Sequence, residues 1–323
     1  MPNTSRRLLR VAVLMVVTAV FLWLFLRQAD LGSALSALAA LPPWSLFASV
    51  AAVLANLALV ALRWRVLLAA AGVRIGAGRL FVPVSAGAGL NNILPARAGD
   101  LVRIESVRSG EGVPAFLLAG TLFAERLLDG LVLAAWLLAG TLVLGIAGPL
   151  LLAGVALSAG SALGLVLAAA AAARPASVNR LAARLPNRVG AAARDFAAGL
   201  ASFRDGGAIA RALCISAFIW LANLVLYVAV GGGLGLDAGL GGYLALEAVG
   251  SLALAVPGTA AGIGSFDYLT LMTARSLAVP GDIAAGYVIA VHALTVVPVT
   301  VLGLLLLGRA VPSRPRVPAV EPA

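Results

Sequence analysis

The stretch GLNNILPARAGDLVRIE, positions 89–105, is a dense polar segment in a chain made mostly of Ala, Leu, Val and Gly. Its Pro and Gly residues predict a backbone break, followed by a helix that starts near positions 98–100. Asp100 would then lie at the positive end of the helix dipole, while Arg97 and free backbone amides would form an anion-binding corner. Arg103, three residues after Asp100, is placed to pair with it. The alternative is an interfacial turn whose charges face water and lipid headgroups.

A second polar cluster, FAERLLDG, lies at positions 123–130. Glu125 and Asp129 are one helical turn apart on the same face, and Arg126 also lies within a turn of Asp129. If the helix starts near position 114, Glu125 lies about 16 Å deep, where an ionisable group is costly unless it is paired. Such a position indicates a functional site. Two alternatives stay open: a crossing that starts only after Arg126, and a purely structural ion pair.

A third polar segment, PGTAAGIGSFDY, lies at positions 257–268. Gly262 and Gly264 permit a tight turn or a close backbone approach, and Asp267 adds a carboxylate. Close packing of helices through small residues explains such glycines equally well in a membrane protein. We interpret His292, within a predicted span, as a hydrogen-bonded packing residue, with a proton relay as the alternative.

The composition is that of an integral membrane protein. The 323 residues are 62% hydrophobic and 11% charged, with a mean hydropathy of +1.06, whereas soluble domains carry about 25% charged residues. All 23 basic residues are Arg, so no Walker A lysine exists and a P-loop ATPase is excluded. One His and one Cys cannot build the usual zinc sites, and we expect neither a metal nor a cofactor. The net charge of +10 collects between apolar spans, which fits the positive-inside rule better than nucleic-acid binding.

The apolar runs predict an all-α, polytopic membrane bundle with about eight spans and one or two broken or re-entrant segments. Residues 1–323 form a single membrane domain. Its predicted segments are about 8–26, 44–62, 80–95 (re-entrant), 114–145, 147–172, 212–231, 241–256, 257–280 (broken) and 283–307. The distribution of Arg places both termini, including the tail 308–323, on the cytoplasmic side of the inner cell membrane.

The predicted cytoplasmic loop 174–211 carries an apolar stripe with the spacing of an amphipathic helix. The stripe consists of Val189, Ala193, Phe196, Leu200 and Phe203. We interpret it as a helix that lies on the membrane surface or against the bundle. The alternative is a docking site for a partner enzyme.

The order of the motifs resembles that of a known family. The chain has RW at 63–64, N-x-x-P-x-R-x-G-D-x-x-R at 92–103, E-R-x-x-D at 125–129 and P-G-x-x-x-G-x-G-x-x-D at 257–267. This pattern is similar to the transmembrane region of lysylphosphatidylglycerol synthases and its stand-alone, flippase-like relatives. The resemblance covers roughly residues 10–307.

The resemblance implies a protein that moves a polar or charged lipid between leaflets, such as a phospholipid, a hopanoid or a lipid-linked sugar. Its arginines would hold the lipid phosphate, and its Asn side chains would hydrogen-bond the headgroup. Its carboxylates would pair the arginines when the site is empty, or bind a cationic headgroup. The residues expected to bind the lipid are Asn91, Asn92, Arg97, Asp100, Arg103, Glu125, Arg126, Asp129, Gly262, Gly264 and Asp267. The chain departs from the family at Asp100 and Asp267, where Glu is usual.

The alternative function is a membrane component of, or scaffold for, a lipid-modifying synthase or glycosyltransferase. The synthase domain of the larger relatives has no counterpart in these 323 residues, so we expect no enzyme activity and no catalytic residues. The expected partners are membrane lipids and a separately encoded lipid-modifying enzyme, and not nucleic acid.

Overall fold

The computed structural model describes residues 16, 19–27, 31–94, 97–145, 149–254 and 260–310. In these ranges the chain is helical and has no strand, which confirms the predicted all-α bundle. The helices after residue 27 are α1 (Leu31–Ala39), α2 (Pro43–Ala70), α3 (Ala77–Ile93), α4 (Gly99–Glu111), α5 (Ala115–Leu144), α6 (Pro149–Ala173), α7 (Pro175–Ala182), α8 (Asn187–Gly199), α9 (Gly206–Gly233), α10 (Gly239–Ala253), α11 (Ser265–Ser276) and α12 (Gly281–Ala310). Two short 3-10 turns are Leu200–Arg204 and Ala260–Gly262.

Helix boundaries follow local chemistry. Pro43 occupies the first turn of α2, where its missing N–H costs nothing. Gly112 and Gly145 end α4 and α5 in the left-handed conformation, with φ of 70° and 63°. The carboxylate of Asp205 caps α9 by accepting a hydrogen bond from the N–H of Ala208 at 3.0 Å. This cap starts α9 six residues earlier than the predicted position 212.

Five helices of the described chain are long and apolar enough to cross a membrane. They are Pro43–Ala70, Ala115–Val143, Leu151–Ala173, Gly206–Gly233 and Ile283–Ala310. The predicted spans 241–256 and 257–280 correspond to shorter helices, α10 with 15 residues and α11 with 12. Most of the predicted span 8–26, the break at 255–259 and residues 311–323 lie outside the described residues. The count of eight crossings therefore stays a prediction.

Helices α3 and α4 form a hairpin, and α3 covers most of the segment 80–95 predicted to be re-entrant. Near the tip, Gly87 lies so close to Gly99 that a Cβ on Gly87 would be 2.9 Å from the carbonyl oxygen of Gly99. At the base, the Arg79 guanidinium pairs with the Glu111 carboxylate. The two helices are therefore antiparallel, and the chain leaves the hairpin at the end where it entered. Arg97 and Asp100 therefore lie at the tip of the hairpin, where α3 ends and α4 begins.

The hairpin is held against α12 by close backbone contact and by hydrogen bonds. A Cβ on Gly89 of α3 would lie 2.9 Å from the Cα of Gly303 in α12. The side chain of Asn92 donates to the carbonyl of Val296 at 3.3 Å and to the hydroxyl of Thr300 at 3.0 Å. Small residues and amide side chains are the usual means of packing helices in lipid.

The loop 174–211 folds as α7, α8 and a 3-10 turn, and part of its apolar stripe faces the bundle. Leu200 is buried, and the ring of Phe196 lies 5.7 Å from that of Phe123 in α5. Phe203 packs in the same cluster, whereas Val189 is exposed. Phe196, Leu200 and Phe203 therefore pack against the bundle.

Candidate functional site

A polar cavity of about 250 Å³ lies between α2, α3, α4, α5 and α9. Its charged and amide lining residues are Asn56, Arg63, Asn91, Arg97, Asp100, Arg103, Arg126, Asp129 and Asn223. Glu125, which pairs with Arg103, follows the first residue of α5 by ten positions, or about 15 Å along the axis. The cavity therefore lies about a third of the way along the 30-residue α5, and Arg97 and Arg126 are exposed at its opening.

Arg103 and Glu125 form a buried, bidentate ion pair. The two guanidinium nitrogens each lie 2.9 Å from a carboxylate oxygen. The guanidinium also stacks on the ring of Trp64, with its central carbon 3.8 Å from the ring centroid, and Trp64 donates its indole N–H to Thr121 at 2.9 Å. This stacking and pairing fix the orientation of Arg103. The predicted pairing of Arg103 with Asp100 is wrong, because Arg103 is engaged on both guanidinium nitrogens by the buried Glu125, whereas Asp100 contacts Arg97 and Asn91.

Arg63 and Asp129 form a second internal pair. The Arg63 side chain is 1% exposed, and its nitrogens lie 2.5 and 3.2 Å from the two oxygens of Asp129. It also donates to the hydroxyl of Ser216 at 2.8 Å and lies 3.9 Å from Glu125. Arg63 thereby links the two acidic residues of α5 to α2 and α9.

Arg97 and Arg126 differ from these two arginines because they are only loosely paired. Their side chains are 54% and 41% exposed. Arg97 lies 3.5 Å from Asp100, and Arg126 lies 3.5 Å from Asp129. Arg97 also holds a left-handed backbone conformation, with φ of 54°, which non-glycine residues adopt rarely. Two guanidinium groups thus retain donors for a further ligand.

The cavity carries more positive than negative charge, with four arginines against three carboxylates. This excess of guanidinium charge favours the binding of an anion.

The amide side chains around the cavity use part of their hydrogen-bonding capacity within the protein. Asn56 donates to Asn223 at 3.0 Å and to the carbonyl of Ile219 at 3.1 Å. Asn91 donates to Asp100 at 3.0 Å, but its own buried oxygen has no partner among the described residues. The buried Nε atoms of Arg63 and Arg103 also lack partners in this part of the chain. Polar atoms left unpaired in a buried site are expected to bind water or a ligand.

The structure brings together most, but not all, of the residues predicted from sequence. Asn91, Arg97, Asp100, Arg103, Arg126 and Asp129 line the cavity, and Glu125 joins it through Arg103. Asn92 instead bonds α12, and Gly262, Gly264 and Asp267 lie in a second cluster around His292. That cluster does not line the cavity.

Sequence reasoning missed the contribution of α2. The RW pair at 63–64 served only as a family motif, and neither residue received a role. Arg63 and Arg65 lie close together at the predicted end of a span, where arginines usually anchor a helix at the cytoplasmic surface. Arg65 is indeed exposed. The predicted span ends at residue 62, one position before Arg63. A signal was nevertheless present, because apolar residues continue from Val66 to Ala71 beyond Arg63, which indicates that the helix keeps Arg63 among apolar neighbours.

The arginines of the cavity are suited to binding an anion. Among the described residues no group of three or more His, Cys, Asp or Glu side chains is placed to hold a metal. Arginines in a buried site bind phosphate or carboxylate through bidentate, charge-assisted hydrogen bonds.

A family model described as the lysylphosphatidylglycerol synthase TM region matches residues 7–303. No curated protein and no solved structure matches the chain.

Proposed function

We propose, since the chain belongs to the family of the lysylphosphatidylglycerol synthase TM region, that it moves a polar or charged lipid between the leaflets of its membrane. Family membership makes it a multi-pass membrane protein of lipid handling. The observation that carries the finer proposal is the pair of loosely bound arginines, Arg97 and Arg126, in a cavity inside the bundle. A guanidinium in lipid is costly and marks a path for a polar group.

The lipid phosphate would bind between Arg97 and Arg126. Their present partners, Asp100 and Asp129, lie 3.5 Å away and are also held by Asn91 and Arg63. A phosphate could therefore replace the weak contacts of the two arginines without leaving either carboxylate unpartnered. Arg63 and Arg103, already paired and buried, would hold the walls of the site.

The size of the cavity favours a small headgroup. A volume of about 250 Å³ holds about eight water molecules at about 30 Å³ each. A phosphate with a short polar substituent fits this space, whereas a lipid-linked oligosaccharide requires a wider opening. Size therefore supports a phospholipid, with its acyl chains in the surrounding bilayer.

The scaffold alternative receives less support. Its docking surface would be the apolar stripe of 187–205, but Phe196 and Leu200 pack against the bundle. A separately encoded lipid-modifying enzyme remains a proposed partner that supplies or uses the lipid. The proposal itself includes no chemical step on this chain.

Lipid movement in proteoliposomes tests the proposal. Phospholipids carry the fluorophore on an acyl chain, so that the headgroup keeps its natural size, and a membrane-impermeant reductant quenches the outer leaflet. The native protein should accelerate loss of the protected inner-leaflet fluorescence. Arg97→Ala and Arg126→Ala should each slow it by about tenfold or more, since each removes a charge-assisted hydrogen bond worth about 1.5–3 kcal/mol.

Arg65→Ala is the matched control, because Arg65 lies in the same helix as Arg63 but is exposed. It should move lipid at the native rate. Equal rates for the native protein and both cavity variants would contradict the proposal.

A further inference from the structure

The single histidine of the chain, His292 in α12, lies between two hydrogen-bond acceptors. Its Nδ1 is 2.6 Å from a carboxylate oxygen of Asp267, and its Nε2 is 2.9 Å from the carbonyl oxygen of Ala261. A neutral imidazole has one N–H and can donate to only one of them. A neutral ring and an ionised carboxylate together carry only one proton for these two contacts. Making both hydrogen bonds therefore requires one additional proton.

The carboxylate of Asp267 is held in place from its other side. Its second oxygen accepts the backbone N–H of Gly264 at 2.8 Å, at the first turn of α11. The pair holds the same number of protons whether the additional proton is bound to His292 or shared with Asp267. The pair therefore binds and releases its proton as one unit.

Few other ionisable groups face this pair from the helices around it. Helix α1 has no ionisable side chain, and the one in α3, Arg79, pairs with Glu111 at the far end of the hairpin. From α2 and α4, Arg63 and Arg103 are engaged by Asp129 and Glu125. Helix α9 presents Tyr227 to Tyr287, and the buried Glu247 of α10 accepts a hydrogen bond from Trp136. Among the described residues, Asp267 is thus the charged group in contact with the ring.

The backbone that His292 contacts is in an unusual conformation. Ala261, Gly262 and Gly264 have φ of 54°, 76° and 87°, and an alanine rarely adopts positive φ. The bond from the Nε2 of His292 to the Ala261 carbonyl helps to hold this turn. If the ring loses a proton and keeps its bond to Asp267, the carbonyl loses its donor and the turn is released.

A series of contacts connects this turn with the polar cavity. In α12, two turns beyond His292, the hydroxyl of Thr300 accepts a hydrogen bond from Asn92 of α3 at 3.0 Å. The neighbouring residue, Asn91, donates to Asp100 in the cavity at 3.0 Å. A movement of α12 relative to the turn at residues 260–264 would therefore shift Asn92 and Asn91, and with them Asp100 in the polar cavity.

We propose that the Asp267–His292 pair is a proton-binding site that couples lipid movement to the uptake and release of a proton. With the proton bound, the pair fastens the turn at residues 260–264 to α12; without it, this turn is free to move and one negative charge is left on the pair. The proton exchanges with water, and no covalent bond changes. This inference rests on the proposed transport function.

Nitrogen NMR of the native protein tests the proton site without any transport assay. Because the chain has one histidine, labelling with ¹⁵N-histidine in a protein purified without a histidine tag gives the signals of one ring. We expect both ring nitrogens to be protonated near neutral pH, and one to lose its proton as the pH is raised. In Asp267→Asn, which keeps the size of the side chain but removes its charge, the ring should be neutral at the same pH. A neutral ring whose two nitrogen signals do not change between about pH 5 and 8 would overturn the proton site, because release of the proton from either member of the pair changes the hydrogen bond at Nδ1.

Lipid movement at several pH values, and with a pH difference across the vesicle, tests the coupling. The native rate should depend on pH. His292→Gln, which can still donate a hydrogen bond but cannot titrate, should move lipid and lose the pH dependence. Glu247→Gln is the matched control, since it neutralises another buried carboxyl group away from the ring, and it should keep the native dependence.

The transport and NMR experiments test the coupling, the transport function and the proton site separately. A native pH dependence in His292→Gln, or its loss in Glu247→Gln, would overturn the assignment of coupling to the pair. If the native protein moves no lipid at any pH, the proposed function fails and the coupling with it, while the NMR measurement on the native protein still decides whether the pair binds the proton. If His292→Gln does not fold, Asp267→Asn takes its place in the transport assay. Asp267→Asn should also move lipid without the native pH dependence, and a native pH dependence in this variant would overturn the coupling.

Discussion

At the scale of single residues, the arginines of the cavity divide into two kinds. Arg63 and Arg103 are buried, form close ion pairs with carboxylates, and hold helices together. Arg97 and Arg126 are about half exposed and loosely paired. The difference in burial explains why the first two should support stability and the second two should support binding.

Glu125→Gln tests the structural role of the buried pair. The change leaves the charge of Arg103 without its bidentate counter-ion in a buried site, which costs about 3–5 kcal/mol. We expect a clear decrease in the resistance of the purified protein to unfolding by denaturing detergent. Arg126→Ala should differ little from the native protein in the same assay, because Arg126 is partly exposed. A loss of equal size in both variants would contradict this division of roles.

At the scale of helices, the α3–α4 hairpin depends on close backbone approach near its tip. The Cα of Gly99 faces the carbonyl of Gly87 and the amide of Asn91 so closely that a methyl group would overlap both. The tip positions Arg97 and Asp100, so this packing also determines the geometry of the site. Apolar periodicity does not reveal such a contact, since both helices have few apolar residues on a distinct face.

Gly99→Ala should therefore separate the two helices. Overpacking of this kind costs about 1–3 kcal/mol, and the shift at the tip should also slow lipid movement. Gly110→Ala, in the same helix but with no atom within 4 Å of the added methyl, should be neutral or slightly stabilising. The unfolding assay and the transport assay compare the two variants, and native behaviour of Gly99→Ala would show that the tip is looser than described.

At the scale of the whole molecule, charge is distributed unevenly along the bundle. Exposed arginines gather where α2 ends and α9 begins, including Arg65, Arg74 and Arg211. The turn at the opposite end of α9 carries the acidic Asp237. We propose that the basic end is cytoplasmic and that both termini lie on that side of the inner membrane.

Labelling of introduced cysteines tests this orientation. The one native cysteine, Cys214, is first replaced by serine. Exposed positions Ser177 in α7 and Asp237 after α9 are then changed to cysteine one at a time. In intact cells an impermeant maleimide should label Asp237→Cys and not Ser177→Cys, because the 28-residue α9 between them spans about 42 Å. The reverse pattern would invert the proposed topology.

Much of the fold was predictable because it depends on local chemistry. Long apolar runs in a chain with few charges require helices in lipid, since each backbone polar group must be bonded within its own segment. Pro and Gly mark the starts and ends of helices, and the predicted start near Ala98–Asp100 is confirmed by α4 at Gly99. The family resemblance, carried by four short motifs in order, is also confirmed.

The class of protein, the helices and the set of charged residues that the helices must accommodate all follow from the order of the amino acids. Which of these charges meet depends on how the helices pack. Arg103 pairs with Glu125 rather than with Asp100, and Asp267 binds His292 rather than the cavity arginines. The physical reason is that a buried charge requires an opposite charge with good geometry, and its partner is chosen by how the helices pack rather than by spacing along the chain.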